Sequence, residues 1–185
     1  MEDQQSRGLY HRVLGDAWSR VDPAVRALHL NNKSKTITGK LTIEQGGGWL
    51  GRILARIIGL PKARKDCEVR LVKTAIGDGE KWERNFGEDK LVTVQQSAPE
   101  GIWERIGVWE MLLRVTVDNG ALVHVQRRTR LCLGPVRMPW PEWMGPRGTA
   151  REEADKDGWV KLRLELFLPL AGRILTYHGR VKAFS

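Results

Sequence analysis

The chain has 185 residues, 41% of them hydrophobic, and a formal net charge of +9. That supports one domain with its own core, so a single domain over residues 1–185 is expected, with residues 1–7 disordered. No stretch is long and apolar enough to span a membrane, and the polar start lacks the apolar core of a signal peptide, which points to a cytoplasmic protein.

The positive charge favours anionic partners. It is spread along the chain without a dense tract, so nucleic acid is not favoured. Cys67 and Cys132 fall in predicted strands and read as free buried thiols.

Residues 8–20 carry Leu9, Tyr10, Val13, Leu14, Ala17 and Trp18 at helical spacing. Asp22-Pro23 is an N-cap followed by a first-turn proline, which predicts a short second helix to about His29. Residues 31–34 read as a loop. Residues 36–44 alternate as a half-buried strand, broken by Gly46-Gly47-Gly48. In residues 49–58, Trp49, Leu50, Ile53, Leu54, Ile57 and Ile58 oppose Arg52 and Arg56, an amphipathic helix stopped by Gly59 and Pro61.

From residue 66 on, strands follow one another. Residues 69–76 and 80–86 flank Gly77-Asp78-Gly79. A two-residue Asp78-Gly79 turn would set Ala75 opposite Trp82 and Leu71 opposite Phe86. Residues 90–97 form the next strand. For residues 108–117 and 121–133, a three-residue loop with Gly120 left-handed pairs Val115 with Val123 and Leu113 with Val125, keeping the apolar faces together. The other face then groups Glu110, Arg114, His124 and Arg128. Residues 134–148 hold four prolines and two tryptophans and read as a long irregular connection. Residues 159–168 alternate with Val160, Leu162, Leu164, Leu166 and Leu168 on one side, and a last strand covers residues 173–184. The expected fold is α+β: N-terminal helices plus an antiparallel meander of about eight strands, curled into a barrel or half-barrel of lipocalin-like or helix-grip-like form.

Several pieces in order resemble a bacterial domain family of unknown function numbered four-one-six-six. They are Tyr10-His11-Arg12-Val13-Leu14-Gly15 with Trp18 and Leu28-His29; residues 51–61; Trp82-Glu83-Arg84-Asn85-Phe86-Gly87; Glu104-Arg105-Ile106-Gly107; and residues 168–179, ending Thr176-Tyr177-His178-Gly179. The resemblance covers nearly the whole chain and brings no established activity. Some members look fused to short-chain-dehydrogenase-like domains, which implies a dehydrogenase-like protein as a partner.

Trp82, Arg84 and Phe86 share one strand face turned toward apolar residues. A buried arginine needs a partner. Arg84 reads either as an anion clamp inside a cavity or, by the reading the residues favour, as a structural group that pairs with an internal glutamate or covers Trp82 with its head in water. Glu110, Arg114, His124 and Arg128 either orient a polar ligand or pair across strands in water. The four histidines have no metal-ligand spacing, and neither metal nor cofactor is expected. His29, at a helix end, reads as capping or packing. The 49–58 helix, through Trp49, Ile53 and Ile57, is read as packing on the sheet, with a lid over the cavity or peripheral membrane contact as the alternatives. Trp140 and Trp143 sit at a cavity rim or plug the barrel end.

The leading expectation is a non-catalytic domain holding a hydrophobic or amphipathic small molecule in the curved sheet. Arg84 would meet its polar end, with Trp82, Phe86 and Tyr177 among the lining. The alternatives are a module docking to a dehydrogenase-like enzyme, or an enzyme transferring protons through Glu110 and His124 or through Tyr177 and His178.

Overall fold

The computed structural model describes residues 8–30, 34–46, 48–169 and 171–184. The expected disorder of residues 1–7 and the loop at 31–33 lie outside them. In chain order the elements are α1 (Leu9–Leu14), a 3-10 turn (Gly15–Arg20), α2 (Pro23–His29), β1 (Ser34–Gln45), α3 (Gly48–Ile58), β2 (Arg64–Ile76), β3 (Gly79–Phe86) and β4 (Asp89–Ala98). They continue with β5 (Gly101–Ile106), β6 (Trp109–Asp118), β7 (Ala121–Leu133), β8 (Val136–Trp140), β9 (Arg147–Ala154), a 3-10 turn (Lys156–Gly158), β10 (Val160–Leu168) and β11 (Gly172–Phe184). Asp22 caps α2 by accepting a hydrogen bond from the Ala24 N–H at 2.8 Å.

All strands join one antiparallel sheet of eleven, in the order β6-β5-β4-β3-β2-β1-β11-β10-β9-β7-β8. A further β6–β7 pairing closes it, so every strand except β8 belongs to a barrel without free edges. The long β7 pairs with β9 over Leu122–Val125 and with β8 over Thr129–Leu133, which leaves β8 outside the ring.

The curled meander is thus a closed barrel with more strands than the eight expected. β5 and β9 are the additions to the ring, and β8 is a further strand outside it. β8 and the start of β9 fall in the stretch read as an irregular connection, and the rest of β9 in residues given no element. β9 shows no apolar alternation because its residues facing the interior are Gly148, Ala150 and Glu152. A ring wider than eight strands also encloses more room than side chains alone fill.

Both hairpin registers differ from expectation. In β2–β3 the turn is Gly77-Asp78, so Leu71 faces Arg84 and Val69 faces Phe86. The slip is two residues, which leaves each side chain on its expected face. In β6–β7 the two-residue turn prevails: Asn119 and Gly120 both have positive φ, +48° and +82°, the combination of a type I′ turn. Val115 then faces His124, and Leu113 faces Gln126. Turn chemistry decides the register here, and the interior accepts a histidine that hydrophobic matching would have expelled.

The core is a single cluster running from Leu9, Tyr10 and Val25 of the helices through Ile37, Leu71, Phe86, Leu162 and Leu175 of the barrel. Cys67 and Cys132 are buried and unpaired. Among the described residues no helix is long and apolar enough to cross a membrane.

Candidate functional site

Inside the barrel lies a cavity of about 110 Å³. Its walls are mostly apolar, including Ile37, Leu71, Leu91, Met111, Leu113 and Leu166, with one polar region. Strand alternation turns Arg84 of β3, Thr93 and Gln95 of β4, Glu104 of β5, His124 of β7 and Glu152 of β9 to that region, and α1 and α2 add Tyr10 and His29.

Arg84 is already satisfied by protein. It donates to Thr93 Oγ1 at 2.7 Å and to Glu104 Oε1 at 3.4 Å, and its guanidinium lies 5.4 Å from the centre of the Trp82 ring. Burial opposes its charge, while Tyr177 and Glu104 favour it. This guanidinium thus holds an internal ion pair with Glu104, the alternative weighed from sequence.

His29 meets Glu152, with Nε2 2.6 Å from Oε2. Burial by itself would raise the Glu152 carboxyl, but His29, His124 and Arg84 bring it down to about 2. The His29 ring lies against Tyr10, with centroids 3.8 Å apart, and Tyr10 meets His124 edge-on at 5.7 Å. The Tyr10 hydroxyl donates to Gln95 Oε1 at 3.3 Å. Burial raises the Tyr10 phenol and carries that of Tyr177 to about 12.

His124 differs from these neighbours. Both its ring nitrogens are buried, and neither makes a well-formed hydrogen bond among the described residues, although the backbone of Ala150, opposite on β9, lies near enough to favour the protonated ring. Burial pushes the imidazole below its ordinary value, against the opposing pull of Glu152. Kept neutral, it offers one donor and one acceptor. Among the described residues, no group of three or more His, Cys, Asp or Glu side chains could hold a metal ion.

Residues 21–181 match a family described as Domain of unknown function (DUF4166). The chain belongs to this family. Among curated proteins, no sequence matches this DUF4166 member. Among solved structures it is similar to "GphF Dehydratase 1", at 11% identity over 93% of this chain and 83% of that one, with a TM-score of 0.20. It is also similar to an "isomerase-inactive variant of GphF DH1", at 12% identity over 97% and 83%, with a TM-score of 0.19.

Of the residues singled out from sequence, Trp82, Arg84, His124 and Tyr177 line the cavity of this DUF4166 barrel. Phe86 packs behind it, 5.9 Å from Tyr177 between ring centres. Glu110, Arg114 and Arg128 stand on the outer face. Glu110 is covered there and pairs with Arg130 and Arg137. Arg128 pairs with Glu100 in solvent, and Arg114 is exposed beside them. The pairing of Glu110 with His124 therefore fails, because adjacent parities of the hairpin separate them. Tyr177 and His178 fail for the same reason, with His178 exposed. Trp49, Ile53 and Ile57 face outward and do not line the cavity. Trp143 is exposed, and Trp140 packs edge-on against Trp109 at 5.1 Å, away from the interior.

Sequence reasoning missed Glu152, Glu104 and the cavity role of His29. Glu152 and Glu104 sit on strands that were not predicted. His29 carried a usable signal: a histidine ending an apolar helix faces the core as readily as solvent.

Proposed function

We propose that the barrel interior binds a small amphipathic molecule whose polar end is uncharged and hydrogen-bonds to His124. One observation carries this: a largely apolar cavity into which a buried imidazole presents two nitrogens without a well-formed hydrogen bond, and burial favours its neutral form. Buried polar groups are ordinarily paired, so such an exception calls for a partner. The ligand's polar end is a hydroxyl or carbonyl, because the Arg84 charge is already answered by Glu104. At about 110 Å³ the space takes a compact molecule or the head of a larger one; a cavity of about 150 Å³ holds benzene.

His124→Leu tests the reading. Removing an unpartnered buried polar group should raise the melting temperature of the ligand-free chain by roughly 2–8 °C. The same change should abolish retention of a bound small molecule in native mass spectrometry, and stabilisation by a panel of medium-chain alcohols and ketones. A variant that is less stable yet keeps the wild-type ligand profile sinks the proposal.

The second reading is an acid–base enzyme in the same cavity, favoured by His29–Glu152 lying beside neutral His124. It requires turnover that His124→Gln and Glu152→Gln each remove. Docking to a dehydrogenase-like enzyme is a separate proposal about the outer surface, tested by a pull-down with the purified chain.

A further inference from the structure

α3 is seated on the barrel through its smallest residues. Gly51 and Ala55 are buried, and a Cβ on Gly51 would lie 2.6 Å from the Gly46 carbonyl oxygen and 3.4 Å from Ile174 Cγ2. Leu50, Leu54 and Ile58 flank that seat and pack against the core, while the remaining bulky residues turn outward. Trp49, Ile53 and Ile57 are 69%, 49% and 75% exposed. At spacings of four they form one stripe along the helix. Arg52 and Arg56 form the neighbouring stripe, also exposed. They border a groove whose other walls include Lys62, Lys90 and a single acid, Asp89. Asp89 is occupied by the Lys62 N–H at 3.0 Å and by Arg64 at 3.7 Å, and Lys90 by Glu83 at 2.7 Å. The described residues give Arg52 and Arg56 no acidic partner.

We propose that α3 docks the protein on an anionic lipid surface. Trp49, Ile53 and Ile57 enter the boundary between headgroups and acyl chains, while Arg52, Arg56 and Lys62 take lipid phosphates. Exposed bulky apolar residues beside unpaired cations are the pattern of a helix lying in a membrane interface. Tryptophan favours that depth, and the net charge of +9 draws the whole chain toward an anionic surface. A second copy of this chain is the weaker occupant. Two-fold packing of α3 on itself would bring the stripe of Arg52 and Arg56 against its own copy, setting like charges together. Leu60, just past the helix, lines both the basic groove and the interior cavity, so the docked face adjoins the barrel wall. The docking stands whether or not the interior takes a ligand.

The test is co-sedimentation of the full chain with vesicles of mixed phosphatidylglycerol and phosphatidylcholine, and of phosphatidylcholine alone. Binding should be about tenfold or more tighter on the anionic vesicles and weaken with added salt. Ile53→Asp with Ile57→Asp, and separately Arg52→Glu with Arg56→Glu, should each lower it about tenfold or more. All four residues are exposed, so circular dichroism melts should match wild type and exclude unfolding. Absence of binding to anionic vesicles overturns the proposal. So does binding that survives the isoleucine changes, or a dimer in sedimentation velocity that Ile53→Asp dissociates.

Discussion

Glu80→Ala is expected to lower the melting temperature by roughly 6–20 °C. The reason is Lys73, an amine 1% exposed in the barrel wall. Its Nζ donates to the Leu30 carbonyl at 2.6 Å and lies 3.3 Å from Glu80 Oε1. Burial lowers the pKa of Lys73, while Glu80 holds the ammonium form. Glu80 also accepts from Trp82 Nε1 at 3.2 Å, so it fixes the indole that borders the cavity. Removing the carboxylate leaves a buried cation without its counter-charge, which costs about 3–5 kcal/mol. The opposite design is informative. Lys73→Met combined with Glu80→Gln removes both charges and keeps an acceptor for Trp82, so it should recover most of the loss, because buried ion pairs are replaceable by apolar groups of like volume. Thermal and urea unfolding of the three proteins decide the matter. If Glu80→Ala melts within about 2 °C of wild type, Lys73 is not held as a charge in this wall.

Lys73 and Glu80 also show how far the sequence could be read. The parity of Trp82, Arg84 and Phe86 was legible because a strand alternates whatever its register, and the two-residue slip of β2 against β3 did not disturb it. The apolar side of β10 was legible for the same reason. The polar part of the interior was not. Hydrophobic matching placed Val123 and Val125 inside and expelled His124, whereas the Asn119-Gly120 turn demanded the reverse. β9 carries Glu152 between small residues and gives no hydrophobic signal at all. Both misses have one cause. Patterning rules assume that inward positions are apolar, and they fail where inward positions hold polar chemistry. The amphipathic pattern of α3 was legible, but which of its faces packs was not. Gly51 and Ala55 let the backbone approach the barrel closely with Leu50, Leu54 and Ile58 beside them, which leaves Trp49, Ile53 and Ile57 on the outer side.

Acid should weaken the fold between about pH 5 and pH 2, and Glu152→Gln should remove much of that dependence. Glu152 sits 2.6 Å from His29 with only 13% of its side chain exposed. Its folded pKa of about 2 lies below the roughly 4.3 of an unfolded glutamate. A depressed carboxyl stabilises the fold above its unfolded pKa, and that stability disappears as pH falls toward the folded value. The difference is worth about 3 kcal/mol at neutral pH, or roughly 6–12 °C in melting temperature. Glu152→Gln should therefore lie below wild type at pH 7 and meet it near pH 2. Glu165→Gln provides the contrast: it breaks an exposed pair with Arg163 at 2.7 Å, and such pairs contribute less than about 1 kcal/mol. Melting curves of the three proteins at half-unit pH intervals measure all of this. A Glu152→Gln curve parallel to wild type through the whole range would mean that the His29–Glu152 pair is not what the barrel loses in acid. With Glu152 ionised, its carboxylate lies 2.6 Å from the His29 ring that packs on Tyr10, so protonating it in acid removes the acceptor on that side of the cavity wall.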